Sequence, residues 1–225
     1  MIPWQLLDSA PIPGNDQLLR LYQRGGEFSI RIDGREVMNS AVHGSEEALA
    51  ELALVRIVGR FRPRVLIGGL GMGFTAAAAL RQLGAGGRLV VAELVPAVVK
   101  WNRGTLGQPA GHPLQDPRVT VREGDVASLL LTEHGTYDAI LLDVDNGPED
   151  LTRRGNHWLY TRAGLEAASK ALRPEGVLAV WSAGPDRAFS QRLRRAGFEV
   201  EEVQAGFRGP RGRSRHTIWL AGRGS

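Results

Sequence analysis

Six residues, Gly68-Gly69-Leu70-Gly71-Met72-Gly73, constrain this chain more than any other stretch. They stand between a continuous apolar strand, Arg64–Gly68 (RVLIG), and an alanine-rich stretch, 74–83, that reads as a helix. Alternate glycines at a strand-to-helix junction permit a tight turn and let the backbone approach a ligand closely. No Gly-Lys-Ser/Thr comes after them, so the loop is not a phosphate-cradling P-loop. Taken alone, it is compatible with a dinucleotide fold or with a turn that binds nothing.

Beyond the loop, strands and helices alternate strictly. Residues 88–94 (RLVVAEL) read as a strand and 96–103 as a short helix with Pro96 in its first turn. Strands are expected at 119–122, 137–144 (YDAILLDV) and 177–183 (VLAVWSA), with helices at 126–133, near 160–172 and at 186–196. Two last strands, 198–204 and 216–221, have no helix between them and read as an antiparallel hairpin on one edge. Continuous apolar strands separated by helices imply a parallel sheet covered on both faces. The expected fold is therefore α/β, a Rossmann-like, seven-stranded, doubly wound sheet. Ahead of it, residues 27–32 and 35–38 flank Asp33-Gly34, a dipeptide that marks a hairpin. Residues 45–60 are helical in pattern, with Ser45 as N-cap and Glu46 and Glu47 in the first turn. The organisation expected is a short N-terminal β-hairpin segment, 1–42, and one main domain, 43–225.

Composition narrows the chemistry. With 225 residues, 43% of them hydrophobic, the chain buries a self-sufficient core. It has no cysteine, which excludes disulfides, a thiolate nucleophile and cysteine-ligated zinc, and favours a reducing compartment. The first residues lack the basic region and apolar core of a signal peptide, and no apolar run has membrane-span length. The expectation is a cytoplasmic protein that engages no membrane. The net charge is +4, and arginines 208, 211, 213 and 215 carry much of the late excess. Those arginines read either as a contact surface for phosphates or as a solvated loop. Aromatics do not interleave with them, so nucleic acid is not the expected partner. No His/Asp/Glu cluster has metal-ligand spacing, and no Gly-x-Ser-x-Gly elbow is present.

Carboxylates recur at the carboxyl ends of successive strands, where open α/β sheets bind ligands. Glu93, followed by Leu94, lies about twenty residues beyond the glycine loop, where an acid accepts both hydroxyls of a ribose. Asp125, followed by Val126, closes Glu123-Gly124-Asp125 after the third strand, where a carboxylate can accept the exocyclic amine of an adenine. Asp143 ends the fourth strand and leads into Val144-Asp145-Asn146-Gly147-Pro148.

Together these residues make 64–183 resemble the class I S-adenosylmethionine (SAM)-dependent methyltransferase fold. More narrowly, residues 27–205 resemble the spermidine synthase (aminopropyltransferase) family, a short divergent member of it. The further markers are the Asp33-Gly34 hairpin before a helix carrying Glu46-Glu47, Asp116-Pro117-Arg118-Val119, Gly124-Asp125 and Tyr137-Asp138. The resemblance implies that Gly68, Gly69, Gly71 and Gly73 contact the methionine part of SAM or of decarboxylated SAM. It implies that Glu93 and Leu94 hold the ribose, that Asp125 and Val126 hold the adenine, and that Asp143 faces the reacting amine as the catalytic residue. His43, Glu47, Asp145, Asn146 and Tyr160 are the candidates for a small-molecule acceptor. A homodimer is implied by analogy with the family.

Three positions depart from that family. The glycine loop lacks the aspartate that grips the amine of decarboxylated SAM, Gly71 standing in its place. Asn146 stands where a second acid is expected, and Ser45 where a tyrosine is expected. Methyl transfer to a small nitrogen- or oxygen-containing acceptor, aminopropyl transfer to a polyamine, and a non-catalytic adenosyl-binding module all remain open at this stage. Trp181 reads as core, and His157 and Trp158 as residues beside the acceptor pocket or at the start of the next helix.

Overall fold

A computed structural model describes residues 2–14, 16–144, 156–209 and 212–224, without the side chains of 206–215. The chain opens with β1 (Gln5–Pro11), β2 (Leu18–Arg24), β3 (Glu27–Ile32) and β4 (Arg35–Asn39), antiparallel in that order. The expected hairpin is β3–β4, and its turn residues Asp33 and Gly34 have φ of 49° and 77°, as a two-residue primed turn requires. Two further strands join it. β1 (QLLDSAP) fully buries only Ala10 and so carries no apolar alternation to read, whereas β2 buries Leu19 and Leu21.

Helix α1 (Gly44–Val55) comes next. It stops short of the expected residue 60, the chain turning at Gly59 with φ 85°. Its N-cap position is His43 rather than Ser45, and the Ser45 hydroxyl instead donates to Glu46 Oε2 at 2.5 Å. Then come β5 (Arg64–Gly68), α2 (Phe74–Gln82), β6 (Arg88–Glu93), α3 (Pro96–Arg103), β7 (Val119–Glu123), α4 (Val126–Thr132) and β8 (Tyr137–Leu142). The chain closes with α5 (Arg162–Ala171), β9 (Leu172–Ser182), α6 (Arg187–Arg195), β10 (Phe198–Gly209) and β11 (Gly212–Arg223).

The second sheet has seven strands in the order β10-β11-β9-β8-β5-β6-β7. β9, β8, β5, β6 and β7 are parallel, and β11 is antiparallel to both β9 and β10. The last hairpin is longer than the sequence indicates, with Arg208 paired to Arg213 and Gly209 to Gly212. The backbone of Arg208, Arg213 and Arg215 therefore belongs to strands and not to a loop, while Arg211 lies outside the described residues. Among the described residues no helix is long and apolar enough to cross a membrane.

Period-two alternation sorts the strand side chains into two cores. Val65, Ile67, Leu89, Val91, Ala139 and Leu141 pack with α1, α2, α3 and the N-terminal sheet. Their neighbours Leu66, Val90, Ile140, Leu142, Leu178 and Trp219 pack with α4, α5 and α6 on the other face. The N-terminal sheet contributes Leu19, Ile30 and Ile32 to the first core, and the turn after β1 adds Ile12. It is pinned further by Trp101, whose Nε1 donates to Asp8 Oδ2 at 2.9 Å.

Strand order fixes where a ligand site forms. From β5 the chain winds outward through β6 to β7, then crosses back to β8 on the other side of β5. The loops after β5 and β8 diverge at this reversal and open a crevice at their carboxyl ends. At the opposite end of the sheet the start of β8 is tied down by Asp138, 1% exposed. It accepts from Arg60 Nη1 (3.2 Å), the Arg64 backbone N–H (2.7 Å) and Arg173 Nη1 (2.8 Å).

Candidate functional site

A cavity of about 720 Å³ fills the crevice at the switch between β5 and β8, roofed by the N-terminal sheet. Its floor is the glycine loop. Gly69 has φ 90°, and a Cβ there would sit 2.3 Å from the Asp143 carbonyl oxygen, so no other residue fits without moving one of the two loops. The loop is held from below. The Gly69 N–H donates to the Ala92 carbonyl (2.8 Å) and the Leu70 N–H to Glu93 Oε2 (2.8 Å). Asn102 Nδ2, from α3, donates to the Gly71 carbonyl at 2.9 Å.

Glu93 is 8% exposed at the end of β6. Its Oε1 accepts from the Val95 N–H at 2.8 Å, so the carboxylate braces both the glycine loop and the start of α3. A carboxylate oxygen can take more than one donor, so these two hydrogen bonds do not by themselves exhaust it. Leu94, Asp125 and Val126 line the same end of the cavity. Asp125 caps α4, its Oδ1 accepting from the Ala127 N–H at 2.8 Å. Val126 packs beneath Gly68, where a Cβ would come within 3.1 Å of it.

The other end is acidic. Asp143 lies just past β8, its N–H donating to the Gly68 carbonyl at 2.9 Å. Thr75, in the first turn of α2, donates from Oγ1 to Asp143 Oδ2 at 2.6 Å. Burial pushes the Asp143 carboxyl up to about 7, the negative charge of Glu46 adds to the rise, and the Thr75 hydrogen bond opposes it. Glu46 lines the cavity from α1 and is itself raised, chiefly by burial. The Asp143 carboxyl can therefore carry or accept a proton near neutral pH, as an acid–base group must.

The structure brings Gly69, Gly71, Glu93, Leu94, Asp125, Val126 and Asp143 together around one cavity. Gly68 and Gly73 bound the loop, Gly73 at the N-cap of α2 with φ 85°. The acceptor candidates fare differently. Glu47 turns from the cavity to Arg81, whose Nη2 donates to Oε1 at 3.0 Å. His43 backs the wall rather than lining it, its ring stacked on Phe74 with centroids 4.0 Å apart. Tyr160 is buried in the second core, edge-on to Phe189 at 5.7 Å. Asp145 and Asn146 lie outside the described residues.

Four residues of the site escape sequence reasoning: Glu46, Thr75, Asn102 and Trp181. Helical phase points to the first, because Glu46 precedes the buried Leu49, Ala50 and Ala53 by three, four and seven positions and so shares their face. Trp181 packs against the first core, as expected, and also lines the cavity. Its place at the carboxyl end of β9, the ligand end of a parallel strand, is the signal that was open to reading.

The fold is that of the class I SAM-dependent methyltransferases, with an antiparallel sheet at its N-terminus. A spermidine synthase from Thermotoga maritima superposes with a TM-score of 0.76 at 20% identity, covering 97% of this chain and 73% of that one. A spermidine synthase in complex with the transition-state analogue AdoDATO gives 0.75 at 20% identity, over 97% and 72%. A Klebsiella pneumoniae chain described as an O-methyltransferase gives 0.55 at 23% identity, over 82% and 81%. Likeness at these identities establishes the fold. No protein-family model matches the chain, and no curated protein matches it.

Proposed function

We propose that this protein is a SAM-dependent transferase that moves a methyl group to a small amine- or oxygen-containing acceptor. The carrying observation is the placement of Asp143. It stands against the glycine loop at the sheet's switch point, half-buried, bonded to Thr75, in the same cavity as a second carboxylate.

The residues present fit an adenosyl ligand. Gly69 lets the glycine loop pack against the Asp143 backbone, which a side chain would prevent, and Glu93 and Asp125 offer carboxylates at the ribose and adenine positions. When bound, SAM supplies an electrophilic carbon on a sulfonium whose sulfur leaves as a neutral thioether. The protein's tasks are then to exclude water, align the nucleophile and take its proton. An amine is protonated at pH 7 and attacks only after losing that proton. Asp143 accepts it, and Thr75 fixes the orientation of the carboxylate.

The alternative is transfer of the aminopropyl arm of decarboxylated SAM to a polyamine. Coverage of nearly the whole chain by spermidine synthases, N-terminal sheet included, supports it. Gly71 speaks against it: no carboxylate stands in the loop to hold a free amine, and the nearest atom to a Cβ there would be Met38 Sδ at 3.4 Å. Calorimetric titration with SAM and, in parallel, decarboxylated SAM separates the two. Tighter binding of SAM is expected. Tighter binding of decarboxylated SAM selects the aminopropyl reading, and failure of both to bind overturns the adenosyl reading.

A further inference from the structure

Two carboxylates, Glu46 and Asp143, line the acceptor end of the cavity. Among the described residues neither forms an ion pair, whereas Glu47, one position along from Glu46, is paired to Arg81 at 3.0 Å. Both are half-buried, and two anions that share one cavity repel each other unless a proton or a cation joins them. The same cavity is lined by Trp181, whose ring stacks on His216 with centroids 4.9 Å apart. His216 does not line the cavity, and burial lowers its affinity for a proton, so it brings no competing positive charge at pH 7. Paired carboxylates and an indole face recognise the same chemistry, a cation with an apolar body.

We propose that Glu46 and Asp143 are two halves of one cation subsite, completed by the Trp181 ring, and that it admits the acceptor as a monoammonium ion with an apolar body. The inference rests on reading Asp143 as the residue beside the reacting nitrogen.

The rest of the cavity argues for one ammonium group rather than two. Its other carboxylates are Asp33, which accepts from Gln17 Nε2 at 2.7 Å, and Glu93 and Asp125 on the adenosyl side. Among the described residues the one further carboxylate that a second ammonium group would meet off the adenosyl side is Asp33, already engaged by Gln17. Phe74, Val144 and Met38 offer it apolar surface instead.

The subsite also couples binding to proton release. The charged and titratable groups around the pair are His43 and Glu47 beside Glu46, Asp33 and Arg35 from the N-terminal sheet, Glu93 from β6 and His216 behind Trp181. With the Asp143 carboxyl pushed up to about 7, part of the protein carries a proton there at pH 7, and an entering ammonium ion displaces it to solvent. Glu46 acts here as a positioning residue that completes the charge of the site.

The test is calorimetry on the protein saturated with S-adenosylhomocysteine, titrated with benzylamine, benzyl alcohol or 1,4-diaminobutane in two buffers of different ionisation enthalpy. Benzylamine should bind with release of up to one proton and more tightly than benzyl alcohol. Glu46→Gln should weaken benzylamine by about tenfold or more, the order expected for a charge-assisted contact. It should also reduce the proton release and leave benzyl alcohol and S-adenosylhomocysteine binding as they were. Trp181→Leu should weaken benzylamine, and Trp181→Phe should restore most of its affinity. Equal affinity for amine and alcohol, or unchanged amine binding in Glu46→Gln, overturns the cation subsite while the adenosyl reading stands. A diamine bound tenfold tighter than benzylamine overturns the single-ammonium assignment. Failure of S-adenosylhomocysteine to bind the wild-type protein overturns both.

Discussion

Replacing Gly69 by alanine tests the central geometry with one methyl group. The new Cβ would lie 2.3 Å from the Asp143 carbonyl oxygen and 3.0 Å from its carbonyl carbon. To reach ordinary contact near 3.5 Å, the loop and the end of β8 must separate by roughly 1 Å. This carries two costs. Alanine at φ 90° occupies left-handed space, at about 1–2 kcal/mol. Separation also strains the hydrogen bond from the Asp143 N–H to the Gly68 carbonyl, worth about 1 kcal/mol. The sum of about 2–3 kcal/mol corresponds to a Tm about 5–10 °C lower for a chain of this size. The ligand effect should be larger in proportion, because the displaced loop is the cavity floor. Gly14→Ala supplies the control: it also has positive φ (73°) but nothing within 4 Å of a Cβ, so it carries backbone strain alone. Differential scanning fluorimetry and SAM calorimetry on both variants measure the contrast. A Gly69→Ala protein that binds SAM like wild type, with the Tm of Gly14→Ala, would refute the claim that this close approach shapes the site.

Three other perturbations probe the same geometry. Asp143→Asn should lower turnover by about 10²–10⁴-fold while SAM affinity holds. Wild-type kcat should rise with pH through about 7, as the carboxyl loses its proton and becomes a base. Because the folded-state value is raised, Asp143 contributes stability that is fully present below its ordinary range near 3.8 and is lost as pH climbs through about 7. Chemical denaturation between pH 4 and 8 should therefore show a shallower decline in Asp143→Asn. Glu93→Gln sets an amide N–H₂ against one of two backbone donors, costing about 1–3 kcal/mol; a lower Tm and loss of SAM binding by calorimetry are expected. Asp138→Ala removes the acceptor shared by Arg60, Arg173 and the Arg64 N–H at the far end of the sheet. It should lower Tm by an amount equivalent to about 1–3 kcal/mol with SAM affinity unchanged below the transition.

The parallel core was legible because its strands are bounded by glycine, proline and carboxylates. β5 and α3 have the limits expected of them, and Glu93, Asp125 and Asp143 all reach one cavity. The N-terminal sheet was only half legible. β3–β4 announces itself through Asp33-Gly34, while β1 is mostly exposed and so leaves no alternating trace. The acceptor side was least legible for a different reason. Whether Glu46 or Glu47 faces the ligand depends on about 100° of helical phase, and whether Trp181 is core alone or also wall depends on which element packs over the end of β9. Both depend on tertiary placement, which the order of residues encodes only indirectly.

The sheet divides the protein's tolerance for change as well as its interior. Most of the cavity's apolar lining, from Ile12 and Ile30 to Leu70, Met72, Phe74 and Val98, belongs to the first core. Leu165, Phe189, Leu193 and Trp219 lie across the sheet in the second. Sequence drift or engineering that repacks the α4–α6 side can therefore raise or lower robustness without reshaping what the protein recognises. A comparable change on the α1–α3 side alters the mould of the ligand itself. Selection for new acceptors should accumulate on one face of the sheet, and selection for durability on the other.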